Sequence, residues 1–189
     1  MIGVDQRGRI LDAALHLMAE QGSAGASMRQ LATACELNVA TLYHYFPSKA
    51  DLLESVVRER RYGERLAEDA PPIDKSAPPR ERLVTLVDWL WANALEEQAV
   101  LRLLVGEAVR GEAAATRAAA EVVDVLGTTL EQWLSTGFPE LGGDPAGLAR
   151  VIRGHVLALV VEHLALGGVS TDAAHQRAEE LAAALVPSG

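Results

Sequence analysis

The stretch "VATLYHYFPSKADLL", residues 39–53, places Tyr43, Tyr45 and Phe46 within four positions, with His44 among them and Lys49 just beyond. Aromatic residues make up 4% of the chain, so the cluster answers a local demand. Phenol hydroxyls and a lysine ammonium are donors suited to phosphate oxygens. Val39, Ala40 and Thr41, just ahead of them, are small enough to bring a helix start against base edges and thymine methyls. Nothing comparable points to bond-making chemistry. No nucleophile motif or phosphate-cradling glycine loop occurs, since "GVDQRG" and "PELGGDP" have the wrong pattern and context. His155 and His163 stand eight apart, too far along a helix to share a metal, and no cysteine or carboxylate completes a zinc set. The expectation is no catalytic residue, no metal and no cofactor.

Side chains of this kind recognise DNA only if helices hold them in register. Ile10, Leu11, Ala14, Leu15, Leu17 and Met18 recur at helical spacing, and Gly22 is the natural stop of a first helix. Ser27 and Gln30 form a capping box that starts a second helix, running to about Cys35. Asn38 is the N-cap of a third, ending near Phe46, where Pro47 stops it and Ser48 with Asp51 caps a fourth, extending to about Glu68. Two short helices joined by a three-residue turn and buttressed by a first helix make a helix-turn-helix. Leu42 and Phe46 lie four apart and share a face with Leu31, Ala32 and Leu37, which makes them core. Val39, Ala40, Thr41, Tyr43 and His44 are left to face outward, with Tyr45 at the margin, and the N-cap Asn38 is counted with them as a DNA-binding candidate.

"APPIDKSAPP" holds four of the eight prolines and reads as a linker between a head, residues 1–70, and a helical body, residues 80–189. Body helices are expected near 80–97, 99–110, 113–135, 145–166 and 171–185, so the fold class is all-α. Leu148, Val151, Ile152, Val156 and Leu159, with His155 among them, make a broad face on one helix, and Leu181 and Leu185 lie on a narrower stripe of the last. These are candidates for a homodimer interface, or else they close a monomeric core. Trp89, Trp91 and Trp133 are candidates for lining a cavity for a small apolar ligand, though tryptophan in a helical body is commonly core.

The net charge of −9 argues at first against a nucleic-acid partner. Residues 1–61, however, balance seven Lys/Arg against seven Asp/Glu, so the acid belongs to the body. A neutral head can present a basic face, because the field that matters extends about 10 Å at ordinary salt. A single cysteine, Cys35, precludes an internal disulfide and reads as a small buried apolar residue. The N-terminus lacks the pattern of a signal peptide, and "VLALVVEHLALGG" is interrupted by Glu162 and His163 well short of a membrane span. A cytoplasmic protein with no membrane partner is expected. On these features alone, a small helical enzyme or a ligand-storage protein with a structural three-helix head stands as the alternative.

The run "LATACELNVATLYHYFPSKADLLESV" resembles the DNA-binding head of the tetracycline-repressor (TetR) family of bacterial regulators. The likeness rests on Leu31-Ala32, Thr41-Leu42-Tyr43, Tyr45-Phe46 and Ser48-Lys49. It implies that Arg29, Val39, Ala40 and Thr41 approach bases, while Ser27, Tyr43, His44, Tyr45 and Lys49 hold the DNA backbone. It further implies a homodimeric, ligand-responsive regulator, with a double-stranded operator as partner. One departure is Glu36, standing where many members of the family have a turn glycine.

Overall fold

The 3.6-residue periodicity is realised as nine α-helices in the computed structural model, which describes residues 6–60, 65, 68–141 and 144–186. No strand occurs among the described residues, in keeping with the all-α expectation. The helices are α1 (Gln6–Gly25), α2 (Met28–Ala34), α3 (Val39–Tyr45), α4 (Lys49–Arg60), α5 (Pro79–Glu96), α6 (Gln98–Val109), α7 (Ala113–Gly137), α8 (Pro145–Leu166) and α9 (Thr171–Leu185). The expected extension of α4 towards Glu68 falls largely on residues 61–64 and 66–67, which lie outside the described residues. No described helix is long and apolar enough to cross a membrane.

Chain contacts divide the molecule into two units, one of residues 1–62 with 99–122, the other of residues 63–98 with 123–189, each over its described part. In the first, α1 packs on α2 and α4, and α2 on α3. Ile10, Ala14, Leu31, Leu42, Leu52 and Phe46 are almost wholly buried at its centre. Residues 99–122 pack with this head although they follow the proline-rich segment in sequence.

Local chemistry sets the boundaries. Ser27 accepts the Gln30 N–H at 3.2 Å while Gln30 Oε1 accepts the Ser27 N–H at 2.9 Å, completing the capping box of α2. Asn38 Oδ1 accepts the Thr41 N–H at 2.7 Å and starts α3. Ser48 Oγ accepts the Asp51 N–H at 3.1 Å at the start of α4. Gly22 interrupts α1 with φ 74° and ψ 158°, a backbone state that suits glycine.

In the second unit, α5 buries Leu83, Leu86, Val87, Leu90, Trp91 and Ala94 at helical spacing and packs on both α8 and α9. Ala174, Ala178 and Ala182 form the buried stripe of α9, and their small size allows close approach to α5. The buried Arg82 donates to the Gly137 carbonyl and to Glu140, satisfying an orphan acceptor at the end of α7. Asp144 caps α8 through the Ala146 N–H at 3.1 Å, with Pro145 in the first turn. Gly167, at φ 95°, ends it.

Candidate nucleic-acid interface

The seven residues of α3 divide by face. Leu42 is fully buried and Phe46, just after the helix, is 2% exposed, whereas Ala40, Tyr43, His44 and Tyr45 are exposed and Val39 and Thr41 half-buried. Tyr43 is 47% exposed, in a head with few aromatics, and its phenol is open to solvent. His44 and Tyr45 stack edge to face, with ring centroids 5.8 Å apart, which steadies both rings at the rim.

Hydrogen bonding within the head decides which groups remain available. The Thr41 hydroxyl donates to Asn38 Oδ1 at 3.0 Å, so its methyl is the part left for a base edge. Asn38 uses its carbonyl oxygen on Thr41, and its amide N–H groups stay available to a phosphate. Ser27 is more constrained: its N–H and O–H both donate to Gln30 Oε1, at 2.9 and 2.7 Å, and reach a phosphate only if Gln30 swings away. Arg29 is exposed. Beside the helix, Arg7 lies over the Phe46 ring at 5.1 Å and pairs with Glu59. Arg7, Tyr45, Asp51, Glu54 and Arg58 are among the residues that line a shallow hollow of about 350 Å³, whose two carboxylates offset its two guanidinium groups and leave it unsuited to an anion.

Lys49 is not a free ammonium. Its Nζ donates to the Ser23 carbonyl at 2.6 Å, and Ser23 in turn donates its N–H at 2.8 Å and its hydroxyl at 2.5 Å to Glu107 of α6. Two ammonium N–H bonds remain for a phosphate. Sequence reasoning missed Ser23 and Glu107, which are 84 residues apart. A signal was present: Glu107 continues the apolar stripe of Val100, Leu103 and Leu104 at i+3 and i+4 spacing, where a carboxylate needs a reason.

The other expected sites belong to the second unit. Trp89 and Trp133 meet edge to face at 5.4 Å, while Trp91 is buried against His163 at the same separation, so the three do not gather around one point. Ile152, Val156 and Leu159 are buried within their own unit, and Leu148, His155, Leu181 and Leu185 are half-buried. Only Val151 of the expected interface residues is exposed, joined by Leu157 and Val161. One register step explains the difference: residues 152, 156 and 159 are buried within the unit, and the neighbouring row of 151, 154, 158 and 161 faces solvent. Cys35 is buried, and burial pushes its thiol up, as expected of an unreactive core residue.

Comparison with known proteins agrees with the geometry. The profile of "Bacterial regulatory proteins, tetR family" matches residues 10–56, which span α1 to α4. The HTH-type transcriptional repressor KstR of Rhodococcus jostii (strain RHA1) is 31% identical over 180 residues, covering 91% of this chain and 79% of that protein. The chain belongs to the TetR family of bacterial regulators. Its kin in the TetR family are transcriptional regulators rather than enzymes, which removes the helical-enzyme alternative. The fold extends the likeness to both units. A TetR-like transcriptional regulator from Rhodococcus sp. RHA1 superposes with TM-score 0.69 at 23% identity, over 97% of each chain. AibR, solved in complex with isovaleryl coenzyme A and operator DNA, superposes with TM-score 0.62 at 24% identity, over 98% of this chain and 100% of that one.

Proposed function

We propose that this chain represses transcription as a homodimer that grips a near-palindromic operator and releases it when a small, mainly apolar ligand binds the helical body. The observation that carries the DNA-binding part is the division of α3, with Leu42 buried and Ala40, Tyr43, His44 and Tyr45 exposed on one short capped helix. Residues at the helix start, with Arg29, address base edges; Asn38, Tyr43, His44, Tyr45 and Lys49 hold phosphates, and Ser27 joins them if Gln30 gives way.

A single such head reads one half-site. Two half-sites lie about 34 Å or a multiple apart, which requires a two-fold pair. On α8, Val151, Gly154, Ala158 and Val161 are all exposed and follow each other at spacings of three, four and three. That is the seam of a helix pair, with small residues at its centre to let two helices approach. The stripe borders a hollow of about 410 Å³ lined by His155, Leu159, Arg177, Glu180 and Leu181, and His155 Nε2 is buried there without a hydrogen-bond partner. A second copy supplies the missing cover.

The ligand part rests on kinship. AibR was solved with both a small molecule and its operator, and the chain shares that fold. Trp89 and Trp133 provide the reporter. The test is to pass genomic fragments over the pure protein, sequence those retained, and titrate hydrophobic compounds against the complex while following tryptophan fluorescence. Near-palindromic retained fragments released by a compound that changes the fluorescence are expected. Absence of any retained fragment refutes the DNA-binding reading.

A further inference from the structure

Ser23 is a three-way junction. Its N–H and O–H both donate to the Glu107 carboxylate, at 2.8 and 2.5 Å, and its carbonyl receives the Lys49 ammonium at 2.6 Å. The junction is built for this use. Gly22, in its positive-φ state, turns the chain so that both Ser23 donors face one carboxylate, and a Cβ there would come within 3.0 Å of Arg110 Nη2 and 3.4 Å of Glu107 Oε1. Glu107 is itself 3% exposed and is held by Arg110 Nη1, just past the end of its own helix, at 2.8 Å. A carboxylate carried into an apolar stripe and given three donors is fixed in place, and what it fixes is Ser23.

From these contacts we infer that Glu107 is a positioning residue for DNA docking, setting through Ser23 where Lys49 and the start of α4 stand. Lys49 has three N–H donors; one is spent on Ser23 and two point onward. With the Ser23 carbonyl held, the ammonium samples a small volume at the DNA-facing end of α4, and its contact with a phosphate costs little side-chain entropy. When α6 shifts or Glu107 is lost, the carbonyl is released and the lysine contact becomes diffuse. The inference deepens the DNA-binding reading and rests on it. It also gives residues 99–122 a physical handle on the head with which they pack.

The experiment is a double-mutant cycle on the full-length protein, with a random-sequence 30-base-pair duplex as probe and affinity measured against salt. Lys49→Ala alone is expected to weaken binding roughly eightfold at 0.1 M salt and to lower the salt slope by about one. In a Glu107→Met background the same lysine change is expected to cost less than about threefold, because the contact is already lost. Thermal melting separates positioning from folding: Glu107→Met strands the Ser23 N–H and O–H and is expected to lower the melting temperature, so affinities are compared at a temperature where every variant is fully folded. Glu107→Gln, which keeps the shape and one acceptor, is the second variant and should fall between wild type and Glu107→Met, with faster hydrogen exchange at the Ser23 amide. An undiminished eightfold lysine effect in both backgrounds overturns the inference and leaves DNA binding intact. A wild-type protein that fails to bind the duplex at low salt overturns both.

Discussion

Leu42 and Tyr43 are chain neighbours on α3 with opposite surroundings, Leu42 fully buried and Tyr43 47% exposed. The pair divides the seven residues of α3 between a face that holds the head together and the face proposed to meet DNA. Tyr43→Phe removes one hydroxyl from the exposed face and leaves the buried face untouched. It is expected to weaken binding to random and operator duplexes alike by about 1 kcal/mol, the worth of one hydrogen bond. Ala40→Leu, by contrast, is expected to change which retained fragment is preferred. Fluorescence anisotropy with both duplexes checks the pair. A Tyr43→Phe effect confined to one sequence contradicts the backbone role.

Assembly is separable from folding on α8 because two rows of residues lie one register step apart. Val161→Arg is expected to give monomers with unchanged helix content and lost operator binding, since the residue is 43% exposed in this chain and a charge there is buried only by a second copy. Leu159→Ala, at 2% exposure, is expected to cost about 2–5 kcal/mol of folding stability instead. Sedimentation velocity and urea denaturation distinguish the two. A monomeric wild type at micromolar concentration removes the dimer.

What the residue pattern revealed, and what it hid, follows from the range of the interactions. Capping at Ser27, Asn38, Ser48 and Asp144 was legible because each cap is decided within three residues. The facing of Leu42 and Phe46 followed from helical period alone. The period does not say which of two adjacent rows on α8 turns inward, because both are built of small and branched apolar residues. That choice depends on tertiary packing, so the pattern left Ile152, Val156 and Leu159 open between a dimer interface and a monomeric core, and they are buried within the single chain. The Ser23–Glu107 junction was hidden for the same reason, since no local pattern links residues 84 apart.

Two histidines give opposite pH dependences. Burial, aided by Arg177 and opposed by Glu180, holds His155 below the usual imidazole range, so the folded chain resists protonation there. Its stability contribution is present above the unfolded value of about 6.5 and is lost as pH falls through the lowered folded value. His175 donates to Asp88 at 2.6 Å, and that bond raises it. Its contribution is full below about pH 6.5 and is lost as pH rises through the raised folded value. The His175 side chain is 51% exposed, so solvent screening limits the effect to about 0.5 kcal/mol or less. Relative to wild type, His175→Ala is expected to lose more stability at pH 5.5 than at pH 8.5, and His155→Gln to lose more at pH 8.5. Urea midpoints at the two pH values check both signs.

Glu36 occupies the turn between α2 and α3 at φ 57°, where a side chain is strained. The turn forms despite it: the Glu36 N–H bonds to the Thr33 carbonyl at 3.0 Å and the Leu37 N–H to the Ala32 carbonyl at 2.8 Å, the two bonds of a left-handed helix stop. Glycine would adopt this conformation without the Cβ clash, a relief of about 1–2 kcal/mol, offset by about 0.4–1 kcal/mol of extra freedom in the unfolded chain. Glu36→Gly is therefore expected to stabilise the head by about 0.5–1 kcal/mol. The same change removes an exposed negative charge from the approach to the base-facing helix start, which should tighten binding to any duplex at low salt and matter less as salt rises. Glu36→Ala separates the two causes, because alanine loses the charge but keeps the strained φ. It should reproduce the gain in DNA affinity without the gain in stability. Equal stabilisation by glycine and alanine in urea denaturation would show that the strain at Glu36 is no larger than the extra freedom glycine adds to the unfolded chain, and the predicted net gain from relieving it would be lost.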